Sequence, residues 1–158
     1  VSLRELFRGR FDVDAANRAM RPRMAEVGLD YDPPDRAWDT RLAQELATWA
    51  SERGVPLHDR LFRAVFVEHR NVGAPDVLVA IAAEAGLDPE AARAVVRDRS
   101  HRAAVDADWA YARGRGVTAV PTYVMGKFGV SGAQPYEVLQ ALVMRAGGEP
   151  RAALPDDD

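Results

Sequence analysis

Gly116–Pro135 reads GVTAVPTYVMGKFGVSGAQP, and it differs in character from everything before it. Val117, Val120, Tyr123, Val124, Phe128 and Val130 are β-formers, cut by Gly126-Lys127 and bounded by Pro121 and Ser131-Gly132. This pattern predicts two short antiparallel strands, Thr122–Met125 and Phe128–Ser131, joined by a tight turn. A helix is expected over Pro135–Ala146, because Ser131 and Gln134 stand near its start and Gly147-Gly148 follow its end. Its pairs Val138/Leu142 and Leu139/Val143 lie four residues apart, so one face needs an apolar partner. Strand, turn, strand and helix make half of an α/β sandwich.

A proline that opens a strand, preceded by Gly-Val-Thr-Ala-Val and followed by Thr-Tyr-Val, resembles the cis-proline signature of thioredoxin-fold proteins. The whole run is similar to the DsbA-like branch of that fold, which also contains 2-hydroxychromene-2-carboxylate isomerases and kappa-class glutathione transferases. Its ending, Ser131-Gly132-Ala133-Gln134-Pro135, resembles the disulfide oxidoreductases of the branch. The resemblance implies a cis Val120–Pro121 bond. Without it, a trans proline heading an ordinary edge strand is the simpler reading.

The chain has 158 residues, enough for one domain, or one with an insertion, and for a real core. With 47% hydrophobic and 28% charged residues it has an ordinary globular composition. A net charge of −3 gives no electrostatic footprint for nucleic acid. No apolar run reaches the roughly 20 residues that span a bilayer. VSLRELFRGRF at the start has no apolar leader region, so a cytoplasmic location is expected. The decisive total is zero cysteines. Thiol–disulfide exchange needs a thiolate, normally with a second resolving thiol. As written, the chain cannot run that reaction.

Upstream of the run, helix follows helix. Val1–Phe11 is amphipathic through Leu3, Leu6 and Phe7, and Gly9 interrupts it. Asp12 or Asp14 can cap a helix reaching Val27, with Ala16, Met20 and Met24 on its apolar side. Asp30–Asp35 is a loop, since Pro33-Pro34 block a helix. The strongest helical pattern runs from Ala37 to Arg53, where Trp38, Leu42, Leu46 and Trp49 form a stripe that reads as a core seam rather than a ligand wall. Pro56–His69 carries Leu57, Leu61 and Val65 beside Phe62 and Phe66. Pro75 and Asp88-Pro89 open two further helices, and a long one covers His101–Arg113. Residues 149–158 read as a solvated tail.

The expected fold class is therefore α/β, thioredoxin-like of the DsbA type with an all-helical insertion. As present it is mostly α, with a two-stranded hairpin and a C-terminal helix. Residues 1–114 form the helical region, and 115–148 the ββα half. The first βαβ half, which the resemblance implies would carry the Cys-x-x-Cys motif, is missing, and Val1 at the start suits a fragment or a valine read from a GTG codon.

The resemblance assigns substrate binding to Val120, whose backbone would pair with an extended thiol or disulfide peptide, and to Pro121. Backbone N–H groups near Ser131, Gly132 and Gln134 are a second candidate, able to take an anion such as a glutathione carboxylate; the plainer reading is a helix cap by Ser131 or Gln134. No catalytic residue is assigned. His58, His69 and His101 lack metal-ligand spacing, so no metal is expected. Asp32, Asp35, Asp39 and Glu45 read as loop polarity and helix-start charge. Three functions compete: a DsbA-like oxidoreductase lacking its redox half; a glutathione-dependent isomerase or transferase; and a redox-dead binding module whose exposed sheet edge pairs with a partner chain. The unpaired edge leads to the expectation of a homodimer through it, of aggregation, or of a chain held together mainly by its helices.

Overall fold

The computed structural model describes residues 1–8 and 10–149. Among them are eight α-helices and one two-stranded sheet. The helices are α1 (Leu3–Phe7), α2 (Val13–Glu26), α3 (Arg41–Ser51), α4 (His58–Phe66), α5 (Pro75–Glu84), α6 (Pro89–Asp98), α7 (Arg102–Gly114) and, after strands β1 (Thr122–Met125) and β2 (Phe128–Ser131), α8 (Tyr136–Arg145). The chain divides into two compact units, Val1–Asp108 and Trp109–Asp158, so the division falls inside α7. None of the described helices is long and apolar enough to cross a membrane.

In the first unit, α3, α5 and α6 pack together. Leu46, Leu57, Leu78 and Ile81 are wholly buried, each contributing about 1.5–3 kcal/mol of hydrophobic stabilisation. Local chemistry sets the helix starts. The Asp12 carboxylate accepts from Ala15 N–H at 2.9 Å, and that of Asp88 from Glu90 N–H at 3.1 Å. Pro75 and Pro89 occupy first-turn positions, where a missing N–H costs nothing.

Three expectations are corrected. α3 begins at Arg41 rather than Ala37, because Arg36 bridges Ser2, Ala37 N–H donates to the Val1 carbonyl at 2.9 Å, and the Asp39 side chain accepts from Arg41 N–H at 2.9 Å. Trp38 therefore lies outside the helix, whereas Leu46 and Trp49 are buried as a core seam requires. α4 stops at Phe66, since Arg70 N–H turns back to the Ala64 carbonyl at 2.7 Å with His69 left-handed between them. Glu45 is not helix-start charge: it is 1% exposed, its carboxylate gripped by the Arg99 guanidinium at 2.7 and 2.6 Å, with Arg41 at 3.8 Å. The expected tail falls, from Pro150 onward, outside the described residues, as does Gly9.

In the second unit, β1 and β2 pair antiparallel in the expected register, Thr122 opposite Ser131 and Met125 opposite Phe128. Gly126 has φ +60°, which a first turn position of this kind demands and an L side chain resists. α8 packs on both strands and buries Leu142. A mostly helical chain with a ββα element is the expected thioredoxin-like pattern as far as the described residues extend.

Candidate functional site

The candidate site begins where α7 ends. Val117 N–H donates to the Ala112 carbonyl at 3.1 Å and Gly116 N–H to that of Arg113 at 2.9 Å, with Gly116 left-handed at φ +73°. These bonds satisfy the last helical carbonyls and turn the chain out of the helix. From Val117 it runs without regular structure to β1, and the Val120–Pro121 bond is cis.

Both flanks of that bond are pinned. The Pro121 carbonyl accepts from Gly132 N–H at 2.8 Å, tying the head of β1 to the end of β2. The Thr122 hydroxyl donates to the Ala119 carbonyl at 2.6 Å and lies 3.0 Å from the Ser131 hydroxyl. Between these anchors Val120 is 87% exposed, and among the described residues nothing hydrogen-bonds its backbone. A backbone held in place with its own polar groups free can extend a ladder to an added strand.

Elsewhere on this unit, two patches set apolar side chains beside cations. Val124 of β1 joins Tyr111, Ala112 and Val117 in a cleft of about 280 Å³ edged by Arg115, whose guanidinium lies 5.3 Å from the Tyr111 ring centre. On β2, Phe128 is covered by Arg145 at 4.4 Å and Lys127 at 5.4 Å.

The second candidate looks different. Gly132 N–H is committed to Pro121, and Gln134 Nε2 donates to the Ser131 carbonyl at 2.6 Å. The N-cap of α8 is Pro135, so neither Ser131 nor Gln134 caps the helix with its side chain. The structure thus brings Pro121, Thr122, Ser131, Gly132 and Gln134 into one bonded cluster around the open Val120.

Sequence reasoning missed Thr122 and Gly132 as the residues holding Val120 in place. The signal was present in their register, since the residue before a strand pair closes it when its partner is one past the other end. No group of three or more His, Asp or Glu side chains among the described residues is arranged to hold a metal ion.

A family model described as DSBA-like thioredoxin domain matches residues 12–143. The chain is also 27% identical over 130 residues to the uncharacterized protein YwbO of Bacillus subtilis (strain 168), a match covering 79% of this chain and 65% of that protein. It thus spans about two thirds of its relative's length. By the extent of the family match, which includes the helical region and the hairpin alike, the chain belongs to the DSBA-like thioredoxin domain family.

Proposed function

We propose that this chain supplies the substrate-presenting part of a thiol–disulfide oxidoreductase, with Val120 and Pro121 offering an extended thiol- or disulfide-bearing peptide a backbone to pair with. One observation carries the reading: Val120 is open and unbonded between flanks that hydrogen bonds hold still. Exchange itself proceeds by attack of a thiolate on a disulfide sulfur, forming a mixed disulfide and expelling the other sulfur as thiolate. With no cysteine in these 158 residues, the reacting thiols in this reading come from protein outside them, in a cytoplasmic setting. The glutathione-dependent alternative draws less support, because the Gly132 N–H it would use for an anion already serves Pro121.

The test is a titration of the isotope-labelled chain with a short, unstructured, cysteine-containing peptide, followed by backbone amide NMR. Shifts confined to the 117–125 and 129–132 segments, and lost in Val120→Pro, support the reading. Shifts elsewhere, or none, overturn it; glutathione titrated in parallel tests the alternative at Ser131 and Gln134. The intact mass of the protein from its source cells tests the redox part separately. A mass above 17.3 kDa with added cysteines supports it, whereas 17.3 kDa leaves a redox-dead binding module.

A further inference from the structure

We propose that the outer edge of β2 takes an extended segment of another protein, which sets a carboxylate at Lys127 and Arg145 and an apolar side chain beside Val130. This surface belongs to the strand of the hairpin farther from Val120 in sequence, and the proposal does not rest on the redox reading.

Backbone geometry leaves one side of β2 open. The sheet has two strands among the described residues, so each has one unpaired side. Along an antiparallel pair, residues alternate between exchanging hydrogen bonds with their partner and directing them outward. The bond from Gly132 N–H to the Pro121 carbonyl at 2.8 Å sets the phase: Val130 and Phe128 bond inward to β1, and Gly129 and Ser131 face outward. The Ser131 carbonyl already accepts from Gln134 Nε2 at 2.6 Å. Gly129 is exposed, and among the described residues its outward N–H and C=O find no partner. The edge is therefore closed at Ser131 and open at Gly129. Another backbone satisfies that donor and acceptor together, whereas a small anion answers only the donor.

Charge selects the side chains of the added strand. Arg145 Cζ lies 4.4 Å and Lys127 Nζ 5.4 Å from the Phe128 ring centre, so both cations gather at the open end. A ring quadrupole attracts a cation but leaves its net charge in place. Neither Lys127 nor Arg145 forms an ion pair among the described residues. The remaining titratable side chain along this cleft is Glu137, two helical turns before Arg145 and so about 12 Å along α8. Charge thus changes sign along the cleft, favouring a carboxylate at Phe128 and opposing one beyond Val130. Phe128 and Val130 are partly buried on the α8 side, with Val138, Ala141 and Leu142. Neighbouring strands place same-face side chains about 5 Å apart, and each strand repeats every second residue. The residue beside Phe128 then carries the carboxylate, and the residue two along, beside Val130, is apolar.

The experiment titrates the isotope-labelled full chain with the capped peptide Thr-Val-Thr-Glu-Thr-Val-Thr, symmetric about its Glu so that either strand direction is served. Relatives with Gln or Lys in place of Glu are the controls, and amide NMR is the readout. The peptides hold no cysteine, and shifts are expected at 127–130 and 141–145 rather than at 117–125, so this site and the Val120 site fail separately. The Glu peptide should bind about fivefold tighter than the Gln peptide, and the Lys peptide most weakly, with the gaps closing as salt rises. Lys127→Gln with Arg145→Gln, both at exposed positions, should erase the Glu preference and leave the Gln peptide unchanged. N-methylation tests pairing without altering the protein: methylating one alternate set of peptide nitrogens should abolish binding, and methylating the other set should spare it. Absence of saturable shifts at 127–130, or equal effects of the two methylated sets, overturns strand addition. Equal affinity for the Glu and Gln peptides overturns the acidic assignment. Peptide binding that tightens severalfold in Asp156→Asn, Asp157→Asn and Asp158→Asn combined would make this chain's own acidic segment, in the same or a second copy, the occupant and overturn an outside partner.

Discussion

At Glu45 a carboxylate lies inside the core of the helical unit with its charge answered from one side by Arg99, the left-handed residue (φ +54°) that ends α6. The hydrogen bonds that Arg99 donates to Glu45 hold its guanidinium above its ordinary basicity. A buried ion pair and a buried apolar pair differ little in stability, but a buried charge without its partner is costly. Glu45→Met should therefore change stability by no more than about 1 kcal/mol, since the side chain it introduces fills the same space and Arg99 can turn to solvent. Arg99→Ala should be clearly more destabilising, leaving the carboxylate with Arg41 at 3.8 Å. Urea midpoints of the two variants decide it: equal losses would mean that the pair is not what holds α6 to α3. Nothing near Glu45 in the sequence announces this role, because its partner stands 54 residues away. A carboxylate in the first turns of a helix ordinarily faces water.

At the level of elements, the hairpin was legible because its signals are local: β-formers, a Gly-Lys turn and a proline entry all lie within twenty residues. α5 and α6 were legible for the same reason, through Pro75 and Asp88-Pro89. The start of α3 was not, since Ala37-Trp38-Asp39-Thr40 continues the helical pattern and yields to hydrogen bonds with the distant Val1–Ser2 segment, joined by the local bond from Arg41 N–H to the Asp39 side chain. α2 shows the opposite imbalance, running unbroken through Pro22. Proline there removes a helical hydrogen bond and crowds the preceding turn. Pro22→Ala should stabilise α2 by roughly 1–3 kcal/mol, discounted by the looser unfolded chain. Slower amide exchange from Arg21 to Glu26 would show it; unchanged exchange would mean that this turn is held by packing rather than by its ladder. Arg60 and Arg70 meanwhile tie α4 and the following loop to α5 through Glu68 and Glu84. Hydrogen bonds from Arg70 and Arg60 hold the Glu84 carboxyl below its ordinary value of 4.5 against some desolvation. For Glu68, desolvation pushes the carboxyl up, but bonds from the same arginines outweigh it and leave it lowered. Folded-state values depressed below the unfolded ones give stability that is complete above about pH 4.5 and is lost as pH falls through the lower, folded values. Melting temperature against pH should therefore fall below that point in the native chain, and less steeply in Glu84→Gln; identical slopes would show that the network contributes nothing.

For the whole molecule, the distribution of burial matters more than its total. Nearly all buried apolar side chains belong to the first unit, while Leu142 alone fills that role among the described residues of the second. A two-stranded sheet with one helix is marginal by itself, and it leaves unpaired backbone along its strands. Val124 of β1 is 44% exposed, and Tyr123, Met125, Val138 and Val143 also remain partly open to solvent. We propose that a strand from another chain covers this edge, in a homodimer where no other protein is present. Amide exchange should then be fast in β1 and β2 at low concentration, while α3 and α5 stay protected, and it should slow in the strands as concentration rises. Sedimentation should show the matching shift from monomer to dimer, and Val124→Lys, which places a charge on the pairing surface, should suppress both changes. The two readouts together separate edge pairing from general stickiness. Association that left strand exchange unaltered would run through another surface. A chain that stays monomeric at all concentrations, with protected strands, would show that α8 and the hairpin suffice as they are, and the edge would then need no partner.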